Sequence, residues 1–279
     1  MNLFPKIKTP YYIVTPSYTH TSSGVRTLHL LCHALNEMGQ RAYLVPARQY
    51  EPGNFTTHPH LNTPVISKEL EHINFYGNEG IDPIFVYPDI VDGNPFDARR
   101  VVRYLLAKPG GYGRVITPPA LTDQVWGALP SIAENVLRIP VSDPDIFRLP
   151  NAGRGRKGSC FYSHKYDGMA GNKLLPLTKG STRLKGPLER VADILRASEV
   201  CYLYEMSSII TEAALCDCPV VLVRTDFFNK IDPEAMMGQV CWSDGEFVKE
   251  CKDYHDEYES YLWQLPMQIQ NFIEKTQAI

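Results

Sequence analysis

The stretch Val200-Cys-Tyr-Leu-Tyr-Glu-Met-Ser-Ser-Ile-Ile-Thr-Glu-Ala-Ala-Leu-Cys-Asp-Cys-Pro-Val-Val-Leu-Val223 decides the fold that the sequence predicts. Hydrophobic and aromatic residues ending at Tyr204 predict a strand, which is followed by a polar turn. Residues 208–215 then predict a helix, and Val220 to Val223 predict a second strand. A strand, a helix and a strand in this order are typical of a parallel sheet with helices on its faces.

A similar unit begins the chain. Tyr11 to Val14 predict a buried strand, and residues 42–45 predict the next strand. The helix between them is indicated by apolar residues spaced i, i+3, i+4 and i+7, which are Leu28, Leu31, Cys32 and Leu35. Gly39 marks the end of this helix. Strands joined in this way place the first loop at the carboxyl edge of the sheet, where open α/β folds bind ligands.

The length of 279 residues exceeds that of a usual single domain, which is roughly 100 to 200 residues. We therefore expect an α/β protein with two facing Rossmann-like domains, spanning residues 1–148 and 149–279. The Pro-, Gly- and Arg-rich segment 143–158 is interpreted as the linker. The other predicted elements are strands at 72–76, 84–87, 136–139, 159–163 and 174–177, a helix at 98–106, a helix beginning at Pro187, and a helix at 247–275 broken near Pro266.

Composition restricts the function. The chain has 28 Lys and Arg against 31 Asp and Glu, and this net charge of −3 disfavours nucleic acid as a partner without excluding it. Its seven cysteines lack metal-ligand spacing, which indicates reduced thiols in a cytosol-like compartment. Cys216-Asp217-Cys218 is interpreted as small buried residues around a tight turn.

The sequence has neither an apolar run of about 20 residues nor a signal-peptide core at its start. We expect a cytoplasmic protein with at most peripheral membrane contact.

The turn in the opening stretch carries the clearest chemistry. Ser207 or Ser208 can cap the following helix, whose first N–H groups and dipole suit a diphosphate. Glu212 lies four residues beyond Ser208 on the same helix face, where a carboxylate can accept both hydroxyls of a ribose. Glu205, at the end of the strand, is a candidate for contact with the sugar or the acceptor. The alternative is an ordinary capped helix with two solvated glutamates.

This segment resembles the donor-binding motif of retaining glycosyltransferases of the B-type fold. In that family an acidic pair brackets a strand-to-helix turn, ahead of Glu-Ala and a Cys-Gly-Cys-Pro-Val-Val-like strand. Here the spacing from Glu205 to Glu212 is 212 − 205 = 7, one residue shorter than usual. Asp217 also stands where glycine is commoner, and Asp tolerates a left-handed turn better than most residues.

The resemblance implies further donor contacts. Lys165, just past a predicted strand, matches the phosphate-binding lysine of the family best, and Arg183 is a second candidate. A fixed cation stabilises the charge that develops on the leaving diphosphate. Ser23 and Gly24 belong to a small-residue turn that lets a phosphate or an acceptor approach the first helix. The cluster of Arg154, Arg156 and Lys157 admits two interpretations, phosphate binding or solvation of the linker.

Two residues of the first half are candidates for catalysis. Asp89 follows a predicted strand and can orient or deprotonate an acceptor hydroxyl, although turn chemistry also explains an Asp in this loop. His20, in the first loop, is a candidate contact to donor or acceptor. No metal and no cofactor are expected, in line with the B-type family.

These features favour a glycosyltransferase that moves a sugar from a nucleotide-diphosphate sugar to a hydroxyl acceptor. The acceptor classes are a glycan, a lipid-linked glycan or a modified nucleobase. The resemblance implies retention of the anomeric configuration. The alternatives are a nucleotide-sugar epimerase of the same architecture and a non-catalytic nucleotide- or glycan-binding module.

Overall fold

The computed structural model describes residues 8–47, 55–66, 81–106, 123–129, 132–148, 155–226, 228, 232–247 and 254–279. The chain divides into two compact units. Unit 1 consists of Met1–Val141 together with Tyr261–Ile279, and unit 2 consists of Ser142–Ser260. The domains expected from the sequence, 1–148 and 149–279, differ from these units mainly in the last segment, which joins unit 1.

Unit 1 contains a parallel sheet. Its elements in chain order are β1 (Tyr11–Thr15), α1 (Ser23–Glu37), β2 (Ala42–Pro46), β3 (Ile84–Pro88), β4 (Arg100–Leu105), β5 (Gln124–Gly127) and β6 (Asn135–Val136). Within the described residues the strand order is β2-β1-β3-β4-β5-β6, and every pairing is parallel. The chain runs from β1 outward to β2 and then returns to the other side of β1 with β3, so the winding direction changes between β1 and β3.

Hydrophobic packing holds this sheet. Because side chains alternate along a strand, Tyr11 and Ile13 face one side of the sheet while Tyr12 and Val14 face the other. The first side is covered by the apolar residues of α1 and by three residues from the end of the chain, which are Ile269, Phe272 and Ile273. Burying each such side chain stabilises the fold by about 1.5 to 3 kcal/mol. The predicted β1-α1-β2 unit is confirmed.

The helix predicted at 98–106 is wrong, because residues 100–105 form β4. Val101, Val102 and Leu105 are buried in the sheet. Both faces of this strand are covered, so its apolar and polar residues do not alternate, and these three residues have the spacing of one helix face. The strand predicted at 136–139 is shifted to Asn135–Val136, and the one predicted at 72–76 lies outside the described residues.

Unit 2 contains a second parallel sheet. Its elements are β7 (Ser159–Tyr162), α2 (Lys165–Gly168), β8 (Thr182–Arg183), α3 (Leu188–Ala197), β9 (Val200–Leu203), α4 (Ile209–Leu215), β10 (Val220–Leu222) and β11 (Val240–Trp242). In the part of unit 2 that the structure describes, the strand order is β11-β10-β9-β7-β8, again parallel. The chain leaves β7 for β8 and returns to the other side with β9, so the switch of direction falls between β7 and β9.

Two predictions for unit 2 need correction. Residues 174–177 form no strand; Pro176–Thr178 is a 3-10 turn instead, since Pro176 lacks the N–H that a ladder requires. The C-terminal helix α5 (His255–Gln277) continues through Pro266 without the predicted break. The free energy gained by burying Tyr258, Ile269 and Phe272 along this helix offsets the free energy lost with the backbone hydrogen bond that the proline removes.

The α4 end confirms the sequence interpretation of Cys216-Asp217-Cys218. Asp217 adopts the left-handed conformation, with φ of 51°. Its N–H bonds to the carbonyl of Ala214 at 3.0 Å, and the Cys218 N–H bonds to that of Ala213 at 2.8 Å. This pair of bonds closes a helix in the Schellman arrangement. Both cysteines are buried.

The α/β fold class is therefore confirmed, with one parallel sheet in each unit. The expectation that the two domains face each other stays a prediction.

Candidate functional site

The change of winding direction in unit 2 identifies a candidate site. In open α/β sheets, ligands bind outside the carboxyl ends of the strands where the strand order reverses. In unit 2 this place is bordered by the loop after β7 and the loop after β9. Lys165 follows β7, and Glu205, Ser207 and Ser208 follow β9. Arg183 ends the neighbouring strand β8. The structure thus brings these predicted residues to one edge of one sheet.

Glu205 joins the two loops. Its Oε2 accepts hydrogen bonds from the backbone N–H of Tyr166 at 2.8 Å and from that of His164 at 3.2 Å. Glu205 is only 1% exposed. His164, at the N-cap position of α2, makes no side-chain cap of its own, so the carboxylate of Glu205 satisfies the start of this short helix. Sequence reasoning assigned Glu205 to the sugar or the acceptor, and that role stays a prediction.

Glu212 is also closed to solvent. It is 1% exposed, and its Oε1 accepts a hydrogen bond from the Ser208 hydroxyl at 3.0 Å. The predicted common face of Ser208 and Glu212 is therefore confirmed, whereas the interpretation of two solvated glutamates is wrong. Ribose binding by this carboxylate requires the residues around it to rearrange.

The cap of α4 differs from the expectation in detail. Ser208 is the N-cap residue but makes no side-chain cap, because its hydroxyl is directed to Glu212. The Ser207 hydroxyl instead accepts the N–H of Ile209 at 3.3 Å.

Cysteine thiols lie close to Glu212 inside unit 2. Burial raises the pKa of Cys216 to about 12, and the neighbouring Glu212 carboxylate acts in the same direction. Burial likewise raises the pKa of Cys201, with a further contribution from adjacent cysteines and Glu212. The six cysteines of the described residues are free and buried, so these two thiols are neutral and shielded at pH 7.

The predicted cations have different surroundings. Lys165 is exposed between His164 and the buried Tyr166. Arg183 forms an ion pair with Asp167 and donates to the carbonyl of Ser163. It is therefore already engaged beside the site.

One residue of the basic cluster before β7, Arg156, binds to the backbone of unit 2. Arg156 is half-buried and donates to the carbonyls of Leu195, Ser198 and Cys216 at 3.2, 3.1 and 2.7 Å. These carbonyls end α3 and α4, so Arg156 ties the two helices together, and neither the phosphate nor the linker interpretation describes it. Lys157 is exposed at the amino end of β7, and Arg154 lies outside the described residues.

Unit 1 has its own change of winding direction, bordered by the loop after β1 and the loop after β3. His20 is exposed in the first loop, and Ser23 and Gly24 begin α1. The Ser22 hydroxyl caps this helix by accepting the N–H of Val25 at 3.4 Å. Asp89 follows β3, and its Oδ1 accepts the N–H of Leu106 at 3.4 Å. Asp89 therefore bonds to the residue that follows β4, a tertiary contact that turn chemistry alone does not predict.

Sequence reasoning missed His29. This residue of α1 is fully buried, and its Nε2 lies 3.1 Å from the carbonyl of Pro16 in the first loop. Its ring stacks on Phe55 and meets Tyr18 edge to face. A histidine one position after Leu28 on the predicted helix was the available signal, but the sequence does not show that the first loop covers it.

Stability should depend on pH through His29. Burial lowers the pKa of His29 below its ordinary 6.5, so the folded state binds this proton less readily than the unfolded state. The contribution of neutral His29 to the free energy of unfolding is fully present above pH 6.5. It is lost as the pH falls through the lowered pKa. Between pH 8 and about pH 5, the melting temperature of the native chain should fall more steeply with decreasing pH than that of His29→Phe. The exposed His20→Gln variant should keep the native slope; equal slopes for all three proteins would contradict this prediction.

Sequence reasoning also missed a short acidic motif before β7. Asp143-Pro144-Asp145 has the Asp-x-Asp pattern, but Asp143 Oδ1 accepts the Asp145 N–H at 2.9 Å and Asp145 pairs with Arg148 at 3.2 Å. Across the described part of the chain, no group of three or more His, Cys, Asp or Glu residues is arranged to hold a metal ion. Nor does any helix there combine the length and the hydropathy that a membrane crossing requires.

Comparisons with known proteins give distant structural likenesses. No family model and no curated protein matches the chain. The spinosyn forosaminyltransferase SpnP is 12% identical with a TM-score of 0.46, over 98% of this chain and 95% of that one. A glycosyltransferase from Rickettsia africae ESF-5 is 7% identical with a TM-score of 0.47, over 97% and 93%. The calicheamicin glycosyltransferase CalG4 is 11% identical with a TM-score of 0.45, over 97% and 98%. At these values the likeness carries no inference about activity.

Proposed function

We propose that the chain transfers a sugar from a nucleotide-diphosphate sugar to a hydroxyl acceptor. The observation that supports the proposal is that the loops carrying Lys165, Ser207 and Ser208 border the place where the strand order of unit 2 reverses. Unit 2 holds the donor in this proposal. Unit 1, whose own reversal is bordered by the loops of His20 and Asp89, holds the acceptor.

The chemistry follows from where charge develops. When the glycosidic bond breaks, the leaving nucleoside diphosphate gains negative charge, which a fixed cation stabilises. Lys165 supplies this cation in the proposal. Glu212 binds the ribose after Ser208 releases it. The proposed outcome is retention, which the configuration of the product's anomeric carbon tests.

Binding of nucleotides tests the donor site directly. UDP, GDP, ADP, CDP and dTDP are to be compared by thermal shift, because a ligand that binds only the folded state raises the melting temperature. We expect one of them to bind, and Lys165→Ala to weaken it by about tenfold or more, since hydrogen bonds to charged groups contribute about 1.5 to 3 kcal/mol.

Lys157→Ala is the matched control. Lys157 is also exposed, but it lies at the amino end of β7, away from the proposed edge, so its removal should leave the affinity unchanged. No binding of any nucleotide would count against the function as a whole. Tight binding that survives Glu212→Ala would contradict the ribose assignment.

A second candidate function is a nucleotide- or glycan-binding module without turnover. The burial of both Glu205 and Glu212 favours it, because neither carboxylate reaches solvent in this structure. Incubation of the purified protein with the sugar form of the nucleotide that binds best separates the two candidates. Hydrolysis or transfer supports the enzyme, and binding with neither supports the module.

A further inference from the structure

The loop after β7 is fixed by Tyr204 and Glu205, the two residues that directly follow β9. The Tyr204 hydroxyl accepts the N–H of Leu175 at 2.8 Å and lies 2.9 Å from the Thr178 hydroxyl. The ring of Tyr204 also packs on Tyr166, with centroids 5.1 Å apart. Glu205 then binds the backbone at the start of the same loop. The segment 164–178 is thus held at both of its ends by the residues that follow β9.

The position of Lys165 within this arrangement is specific. The two N–H groups that Glu205 accepts belong to His164 and Tyr166, the neighbours of Lys165 on either side. Tyr166 is buried, and its hydroxyl donates to the carbonyl of Lys173 at 3.0 Å, which anchors the inner side of the loop. Lys165 itself is exposed. The backbone that carries its ammonium group is therefore fixed immediately before and after it.

We propose that Glu205 is a positioning residue that acts through Lys165. One carboxylate oxygen holds both flanking N–H groups, so that the Lys165 side chain extends toward the donor diphosphate from a fixed backbone position. This inference rests on the proposed function, and it replaces direct contact between Glu205 and the sugar. The Glu205 side chain is 1% exposed and its Oε2 accepts two backbone hydrogen bonds, so the carboxylate is committed to the loop rather than directed to solvent.

Two substitutions separate positioning from chemistry. In Glu205→Gln the amide oxygen can occupy the place of Oε2 and accept both N–H groups, so affinity for the best-binding nucleoside diphosphate should stay within about twofold of native. Glu205→Ala removes the acceptor and should weaken that affinity by about tenfold, comparable with the loss of a hydrogen bond to a charged group. Glu205→Asp, whose carboxylate is one methylene too short, should behave like alanine and serves if the alanine variant does not fold.

A double-mutant cycle tests whether the effect passes through Lys165. In the Lys165→Ala background, Glu205→Ala should cause no further loss of affinity, because the group that it positions is already gone. A purely structural role would give the same additional loss in both backgrounds and would overturn the proposal. So would a Glu205→Gln variant that binds the nucleotide normally but no longer hydrolyses or transfers the sugar.

The two failures are distinguishable. If native protein binds none of the five nucleoside diphosphates, the proposed function fails and this inference fails with it. If native protein binds one of them and Glu205→Ala binds it equally well, the inference alone fails.

Discussion

Gly238→Ala is expected to lower the free energy of unfolding by about 2 to 5 kcal/mol, the sum of left-handed strain and overpacking. Gly238 has a φ of 89°, a conformation that costs a residue with a Cβ atom. An added Cβ would also lie 2.8 Å from the Cβ of Ala214 on α4, which is far inside van der Waals contact. Since α4 carries Glu212, displacement of this helix should weaken nucleotide binding as well.

Gly180→Ala is the matched control for strain without a clash. Gly180 has nearly the same φ, 86°, but an added Cβ meets nothing within 4 Å. Its cost should be limited to about 1 to 2 kcal/mol of backbone strain. Urea unfolding of both variants gives the comparison. A loss in Gly238→Ala no larger than that in Gly180→Ala would show that the approach of Gly238 to Ala214 can relax without cost.

Arg103→Met should lower the free energy of unfolding by about 3 to 5 kcal/mol, because it leaves a buried charge without its partner. Arg103 Nε donates to Asp123 at 2.9 Å, and the two side chains are 11% and 6% exposed. The guanidinium also donates to the carbonyls of Val91 and Gly93. These contacts hold the loop after β3, so the substitution should disturb the surroundings of Asp89 too.

An exposed ion pair of unit 1 provides the control. Arg99 lies 3.3 Å from Asp82, but its side chain is 81% exposed. Arg99→Met should therefore cost less than about 1 kcal/mol, as exposed pairs usually do. Thermal and urea unfolding of both variants measure the difference. Similar small losses for the two arginines would mean that Asp123 finds water or another donor once Arg103 is removed.

The sequence predicted those elements whose apolar residues follow a clear period and whose ends carry turn residues. The β1-α1-β2 unit is one case, in which Ser22 and Gly39 flank α1, and the unit from β9 to β10 is another. It failed at β4, where Val101, Val102 and Leu105 have the spacing of one helix face although they belong to a strand that is covered on both faces. It also failed at Pro266, because the burial that carries α5 through the proline comes from distant parts of the chain.

The candidate site was predicted in part for the same reason. Lys165, Ser207 and Ser208 could be placed at a sheet edge, since each follows a recognisable strand. The strand order that brings those edges together depends on tertiary structure. The partners of Glu205 lie 39 and 41 residues away in sequence, so no local pattern reveals that its carboxylate is occupied by backbone. No local pattern reveals that His29 is buried either.

The path of the chain through the two units determines the order in which they can be completed on the ribosome. Unit 2 is inserted into the sequence of unit 1, because the chain leaves unit 1 at Val141 and returns only at Tyr261. When Ser260 has emerged, every residue of unit 2 is available, while the layer beside Trp126 still lacks Ile269 and Phe272. Synthesis adds about 5 to 20 residues per second. Unit 1 begins first along the chain but is therefore the second of the two units to receive its last core residues.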